Sequence, residues 1–88
     1  MAEYSAALES GLSGVIGTAS SILTTCNSLR TGMQPILSSG LNWRDYSNEM
    51  YRLLEIINNI ERSVLSFVDA ADNIRKANDQ CRETTEGN

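Results

Sequence analysis

Two long stretches of the chain repeat apolar residues at alternating steps of three and four positions. The first stretch reads Leu8, Leu12, Val15, Ala19, Ile22, Cys26, Leu29 and Met33. The second reads Met50, Leu53, Ile57, Ile60, Val64, Phe67, Ala71 and Ile74. This spacing keeps the apolar residues on one side of an α-helix over many turns. The pattern predicts an all-α protein in which two long helices pack their apolar stripes together as an antiparallel hairpin.

The segment between the two stretches contains residues that end helices. Pro35 has no amide hydrogen to donate and its ring clashes with the preceding turn, and a Ser-Ser-Gly sequence follows it. We therefore predict one hairpin domain over residues 1–83. The predicted boundaries are a first helix over about 3–31, a turn over about 32–41, a second helix over about 42–82 and a disordered tail over 84–88.

The expected start of the second helix has a recognisable sequence. Asn42 can cap the helix, with Asp45 three positions later as in a capping box. Leu41, before the cap, can pack on Tyr46 as a hydrophobic staple. Trp43 can cover the end of the hairpin core with its ring while its indole N–H reaches a carbonyl. These residues define the predicted turn motif.

The two cysteines lie far apart in such a hairpin. With a turn near residue 37, Cys26 lies beside residue 49, and Cys81 is about 48 Å further along at ~1.5 Å per residue. A disulfide needs Cα atoms within about 7 Å, so an intramolecular bridge is excluded. Both cysteines fit the heptad spacing and are expected to act as small core residues.

Composition limits the classes of function. The chain has 88 residues, a net charge of −4 and a pI of about 4.6, which argues against binding nucleic acid or anionic lipid. No apolar run reaches the roughly 20 residues of a membrane helix, and no basic segment precedes an apolar one as in a cleaved signal peptide.

Chemistry-bearing groups are sparse and scattered. The chain has no histidine, two distant cysteines and no glycine-rich phosphate loop. The carboxylates are distributed over helix surfaces with no spacing that forces two of them together. The sequence therefore predicts no metal, no cofactor and no enzymatic activity.

Apolar residues beside the main stripe indicate a partner. Leu54, Ile56, Leu65 and Val68 widen the apolar side of the second helix beyond what one neighbouring helix covers. We predict a partner interface at Leu54, Ile57, Leu65 and Val68. The alternative is that these residues form an ordinary broad face within the hairpin itself.

The order helix, tryptophan-containing turn and long second helix resembles the Trp-x-Gly (WXG) superfamily of small type VII secretion proteins. The matching residues are Leu41-Asn42-Trp43-Arg44-Asp45 and the second-helix pattern through Ala77. Asp45 stands where the family has glycine, which fits better with the divergent WXG-like helical partners of LXG toxins in Gram-positive bacteria. The resemblance implies that each hairpin is half of a four-helix bundle. It also implies synthesis in the bacterial cytoplasm, followed by secretion or association with the cell envelope without a cleaved signal peptide.

Family members carry export signals that this chain matches only in part. Tyr51 and Glu55 have the Tyr-x-x-x-Glu spacing but lie near the start of the second helix, where packing accounts for them. Some toxin partners carry Phe-x-x-x-Asp late in that helix, and here Phe67 is followed by Asp69 and Asp72. Phe67 fits the heptad stripe, so a core position is the simpler interpretation. These three residues are the candidate export-recognition site.

Three functions follow from these observations. The first is a helical partner that binds a larger secreted toxin, a WXG-like protein or a second copy of itself, and is exported with its partner or promotes its export. The second is a self-assembling subunit of a secretion needle or filament, which needs contacts that do not close. The third is an antitoxin-like or chaperone-like binder that stays in the cytoplasm.

Overall fold

A computed structural model describes residues 3–39 and 43–86. Helix α1 spans Ala6–Ser38, a short 3-10 helix spans Trp43–Tyr46, and helix α2 spans Ser47–Glu86. There is no strand in the described ranges, and the two helices pack side by side in opposite directions. The predicted all-α two-helix hairpin is therefore confirmed. The molecule is a rod of 68 × 17 × 16 Å.

Helix α1 begins at a serine cap and continues further than its sequence predicts. The Ser5 hydroxyl accepts a hydrogen bond from the Leu8 amide at 3.1 Å, and Ser39 follows the last helical residue. Pro35 lies inside the helix instead of ending it near Thr31. A proline in the last turn removes only one helical hydrogen bond. Beyond Thr31, Met33 is buried against α2 and Leu37 is half-buried, so packing holds the final turns in place.

The boundaries of the second helix also differ from the prediction. The α-helix begins at Ser47, after the 3-10 helix, and extends through residues 84–86, which the sequence placed in a disordered tail. Trp43 and Asp45 lie in the 3-10 helix. The predicted cap Asn42 and the staple residue Leu41 fall outside the described residues, so the capping box stays a prediction.

The two helices meet along a seam of buried and half-buried residues. Cys26, Met33 and Ile57 form its core cluster, and Met50 and Leu54 pack against that cluster. Along α1 the seam consists of Glu9, Leu12, Ile16, Ala19, Leu23, Cys26, Arg30, Met33 and Leu37. Along α2 it consists of Met50, Leu54, Ile57, Glu61, Val64, Val68, Ala71, Arg75 and Asn78. Both series alternate steps of three and four, as expected of packed helices.

Only half of the predicted apolar stripe lies in this seam. The stripe residues that lie in the seam are 12, 19, 26 and 33 of the first stretch and 50, 57, 64 and 71 of the second. The other members of both stretches are 40% to 51% exposed, and they are Leu8, Val15, Ile22, Leu29, Leu53, Ile60, Phe67 and Ile74. Phe67 is therefore not a core residue. The helices are rotated so that a second set of residues completes the seam. This set contains apolar residues, such as Ile16, Leu23 and Leu54, and the charged residues of two ion pairs.

Polar pairs tie the two helices together along the seam. Near one end, the Ser5 amide donates to Asn78 Oδ1 and the Asn78 side-chain amide donates to the Ser5 carbonyl, both at 2.9 Å. The Arg75 guanidinium reaches Glu9 at 2.9 Å, and Arg30 reaches Glu61 at 2.7 Å. Because Asn78 is 5% exposed, its two hydrogen bonds replace those that water would make.

The cysteines occupy separate levels of the rod. Cys26 is 2% exposed and packs in the cluster with Ile57, while Cys81 is half-buried and no disulfide joins them. Cys26 lies across from Ile57 of α2, and not from residue 49 as expected, because α1 continues to Ser38 and the turn comes later in the chain.

Candidate protein-binding face

One side of the hairpin carries two parallel rows of large, exposed apolar side chains, which we name the uncharged face. On α1 the row consists of Leu8, Val15, Ile22, Leu29 and Ile36. On α2 it consists of Leu53, Ile60, Phe67 and Ile74. All nine are between 40% and 51% exposed. Since the members of each row are spaced by whole heptads, each row follows one side of its helix.

A groove shows that the two rows lie on the same side of the rod. It has a volume of about 420 Å³. Val15 and Ile22 of α1 and Phe67 of α2 form its walls, and the seam residues Ala19 and Val64 also line it. The small Ala19 side chain leaves room between the helices at this level. The groove is therefore an opening in the uncharged face that can receive apolar side chains from another molecule.

The outer rims of this face are also free of charge. From Leu8 to Leu29 on α1 and along the whole row of α2, the residue four positions after a row member lies in the seam. The residue three positions after it lies on the outer rim. The exposed rim residues are Gly11, Thr18, Thr25 and Gly32 on α1 and Ile56, Ser63, Ala70 and Ala77 on α2. No charged side chain interrupts the rows or the rims between residues 8 and 36 of α1 or between 53 and 77 of α2.

The opposite side of the hairpin carries the charge of α2. An exposed row there consists of Glu55, Arg62, Asp69 and Lys76. In contrast, the charged residues of α1 are Glu9 and Arg30, and both are half-buried in the seam. The outer surface of α1 is made of apolar, small and uncharged polar residues over its whole length of 33 residues. The asymmetry leaves one side of the rod charged and the other uncharged.

The ion pairs of the seam are electrostatically favourable. The hydrogen bond from Arg30 holds the pKa of Glu61 below its ordinary value and raises the pKa of Arg30. The hydrogen bond to Glu9 raises the pKa of Arg75 in the same way. Arg30 also donates to Asn58 at 2.8 Å and to Asn27 at 3.1 Å. These contacts stabilise charges within the hairpin, although Oε2 of Glu9 is buried without a hydrogen-bond partner.

The amount of exposed surface is larger than that of a compact protein. The chain exposes 6572 Å², whereas a compact protein of 9.6 kDa exposes about 5,100 Å². The excess of about 1,500 Å² belongs to the whole chain and follows from its elongated shape, since a rod exposes more surface than a sphere of the same mass.

The structure separates the four residues of the predicted partner interface. Ile57 is 5% exposed in the core of the hairpin, and Leu54 packs against that core. Val68 is half-buried in the seam. Leu65 is 50% exposed, but it follows Val64 by one position and so points to the side away from the groove. Sequence reasoning did not identify the exposed rows as a surface. Their one signal in the sequence is that the members of each row are seven residues apart.

The candidate export-recognition residues are not brought together. Phe67 is a wall of the groove. Asp69 is exposed on the charged side, and Asp72 is half-buried and bonded to Lys76 at 3.2 Å, an i,i+4 pair. Residues two positions apart on a helix point in nearly opposite directions, so Phe67 and Asp69 serve different surfaces. Asp45 of the turn motif is exposed, at the loop end of the rod.

Within the described residues, no three His, Cys, Asp or Glu side chains come close enough to share a metal ion. Neither described helix combines the length and apolarity needed to cross a bilayer. Comparison with models of known protein families, with curated protein sequences and with solved structures finds no match to this chain.

Proposed function

We propose that this chain is a non-enzymatic helical partner protein of a bacterial type VII secretion system. It binds the helical domain of a larger secreted toxin or of a WXG-like protein, and is exported with that partner or promotes its export. The observation that carries the proposal is the uncharged face, with nine large apolar side chains exposed in two rows. Removing such side chains from water is the dominant favourable contribution to protein association.

The partner surface is expected to be helical. Rows spaced by heptads on two antiparallel helices present ridges and grooves that match those of another pair of helices. Two such pairs form a four-helix bundle in which every apolar row faces the centre. The seam of this hairpin already has that geometry, so the uncharged face continues the same packing towards a third and a fourth helix.

The secretion context rests on the sequence resemblance. Trp43 stands at the start of the second helical segment, as in WXG proteins, and the chain has the size and hairpin form of that superfamily. On this proposal the protein is made in the bacterial cytoplasm and reaches the medium or the cell envelope with its partner.

The experiment is co-expression with the helical amino-terminal segment of each large protein encoded in the adjacent genes. A tag on this chain should retain one of those segments. Ile22→Asp should abolish retention, because the complex would bury an unpaired carboxylate. Leu65→Asp is the matched control on the charged side and should retain the segment. If Ile22→Asp leaves retention unchanged, the proposed face is wrong.

Export is tested separately. Deleting this gene should remove the retained toxin from the culture medium while leaving it in cell extracts, and the wild-type gene should restore it. Toxin in the medium of the deletion strain contradicts a role in export. If the tagged chain binds the toxin but its deletion does not change export, the result favours a binder that stays in the cytoplasm.

A further inference from the structure

We infer that the ion pairs of the seam are positioning residues for the uncharged face, because they hold the two helices in the rotation that exposes its rows. Without these pairs each helix turns by roughly 50° about its own axis, and the rows of α1 and α2 pack against each other within one hairpin. We name this second packing the closed arrangement. The inference concerns the isolated chain, and only its consequence for partner binding rests on the proposed function.

The two helices contain two possible seams that share one line of residues on each helix. The shared lines consist of Leu12, Ala19, Cys26 and Met33 on α1 and of Met50, Ile57, Val64 and Ala71 on α2. Row members such as Leu8 flank the shared line on one side, and residues such as Glu9 flank it on the other. Successive helix residues are about 100° apart, so exchanging one flank for the other takes about half that angle.

The rows of the two helices are already level with each other. Ser5 is bonded to Asn78 and Cys26 packs with Ile57, which fixes the alignment of the antiparallel helices. On this alignment the exposed residues form four level pairs, namely Leu8 with Ile74, Val15 with Phe67, Ile22 with Ile60 and Leu29 with Leu53. Val15 and Phe67 accordingly line the same groove. A turn of both helices towards the groove therefore pairs apolar side chains without sliding the helices along the rod.

Burial of apolar side chains favours the closed arrangement. Beside the shared lines, the observed seam contains four charged residues and five large apolar ones, which are Ile16, Leu23, Leu37, Leu54 and Val68. In the closed arrangement all nine apolar residues of the rows take this flank, and the charged side chains return to water. A contribution other than apolar burial must therefore maintain the observed rotation.

The seam ion pairs supply that contribution. Arg30 reaches Glu61 at 2.7 Å and Arg75 reaches Glu9 at 2.9 Å, and these four side chains are 25% to 34% exposed. The turn moves them to the charged side of the rod, where water weakens such pairs. Polar groups in a helical seam can select one packing at a cost in stability. The buried, unpartnered Oε2 of Glu9 is such a cost in this seam.

The test measures the exposure of Phe67, the single phenylalanine of the chain. Incorporated 4-fluorophenylalanine gives one ¹⁹F resonance, which the soluble paramagnet TEMPOL broadens according to its exposure. The full chain is used at concentrations where sedimentation gives the monomer mass for every variant. Glu61→Arg places a like charge beside Arg30 and should reduce the broadening severalfold, because the face closes. Unfolding would instead increase the broadening, so the direction of the change distinguishes closure from destabilisation.

Three further variants complete the test. Arg30→Glu combined with Glu61→Arg restores opposite charges and should restore the broadening of the wild type. Glu55→Arg makes the same charge change on the exposed charged side and should leave the broadening unchanged. Arg30→Gln combined with Glu61→Gln removes the ion pair without repulsion and should reduce the broadening while circular dichroism shows an intact helical chain.

Three results overturn the inference. The first is a helical Arg30→Gln, Glu61→Gln chain whose Phe67 resonance is broadened as in the wild type. The second is a Glu61→Arg chain with increased or unchanged broadening. The third is a charge-exchanged chain that stays protected from TEMPOL, because the sign of the charges would then not decide the rotation.

The consequence for binding is tested with the partner segment identified by co-expression. Glu61→Arg changes no residue of the uncharged face, yet it should lose retention of the segment, and the charge exchange with Arg30→Glu should regain it. A protected Phe67 together with undiminished retention contradicts the use of this face by the partner and leaves the rotation standing. If Phe67 stays exposed in the folded variants while Ile22→Asp still abolishes retention, the proposed function stands and the inference is wrong.

Discussion

The seam and the uncharged face divide the large apolar side chains of the hairpin between them, whereas most small domains expose few such side chains on one continuous surface. The seam holds Glu9, Arg30 and Asn78 among its buried and half-buried positions, and its central layers use the small residues Ala19 and Ala71. The uncharged face holds nine large apolar side chains that the hairpin leaves exposed. The seam combines a core of Cys26, Met33 and Ile57 with polar pairs, and much of the apolar surface of the hairpin lies beside this seam. Such a division is what the proposed packing against further helices requires.

The largest expected effect is a loss of stability when a buried side chain of the seam is truncated. Ile57→Ala should lower the free energy of unfolding by about 2–5 kcal/mol, because it leaves a cavity in the cluster with Cys26 and Met33. Ile60→Ala, on the exposed face, should cost far less. Urea titration at low protein concentration, where association does not contribute, measures both. Equal losses would mean that the distinction between seam and face is wrong.

The next effect concerns the polar end of the seam. Asn78→Ala removes two hydrogen bonds to Ser5 and should cost about 1–3 kcal/mol. Asn73→Ala changes an exposed asparagine of the same helix and should stay within about 0.5 kcal/mol of the wild type. Thermal unfolding followed by circular dichroism distinguishes the two. An unchanged midpoint for Asn78→Ala would show that water replaces its partners at no cost.

A gain of stability is expected on the outer surface of α1. Gly14 is exposed, and a β-carbon added there meets no atom within 4 Å. Gly14→Ala should therefore stabilise the hairpin by about 1 kcal/mol through helix propensity alone. Ala77→Gly, at an exposed position of α2, should destabilise it by a similar amount. Denaturant midpoints give the comparison, and a destabilising Gly14→Ala would reveal a contact at this glycine.

The smallest effect is the pH dependence of the Arg30–Glu61 pair. The pKa of Glu61 is held below its ordinary value of 4.5, so the native state favours the carboxylate. Its contribution to stability is present above that ordinary value and is lost as the pH falls through the lowered native pKa. Glu61→Gln should flatten the decline of the unfolding midpoint in this acidic range, whereas Glu55→Gln, which is exposed, should not. The same slope in both variants would exclude the pair as its source.

The sequence specified the fold better than it specified the surfaces. Heptad spacing identified both helices and the antiparallel hairpin, because an apolar repeat sustained over residues 8–33 and again over 50–74 has few other solutions. It could not choose between two stripes that share Leu12, Ala19 and Cys26. Hydrophobicity favours the stripe with Leu8 and Ile22, because the alternative stripe contains Glu9 and Arg30 beside Ile16 and Leu23. The ion pairs that these two charged residues form across the helices appear in no local pattern.

The same ambiguity affects the predicted partner interface, which stays a prediction. The sequence places Ile57 on the predicted stripe and Leu54 beside it, and the structure packs both side chains within the hairpin. Pro35 was read as a helix end from its chemistry alone, although packing of Met33 continues α1 through it. Burial is a property of the pair of helices, so neither assignment could be decided from one helix at a time.

The hydrogen bonds between Ser5 and Asn78 bring the start of α1 beside the late part of α2, and Arg82 lies over the Tyr4 ring at 5.3 Å. A pull applied between these two points would separate the helices like a zipper, one layer at a time, beginning at Asn78. A hairpin closed at its loop end and held by these contacts at the other should therefore open gradually when its two chain ends are drawn apart.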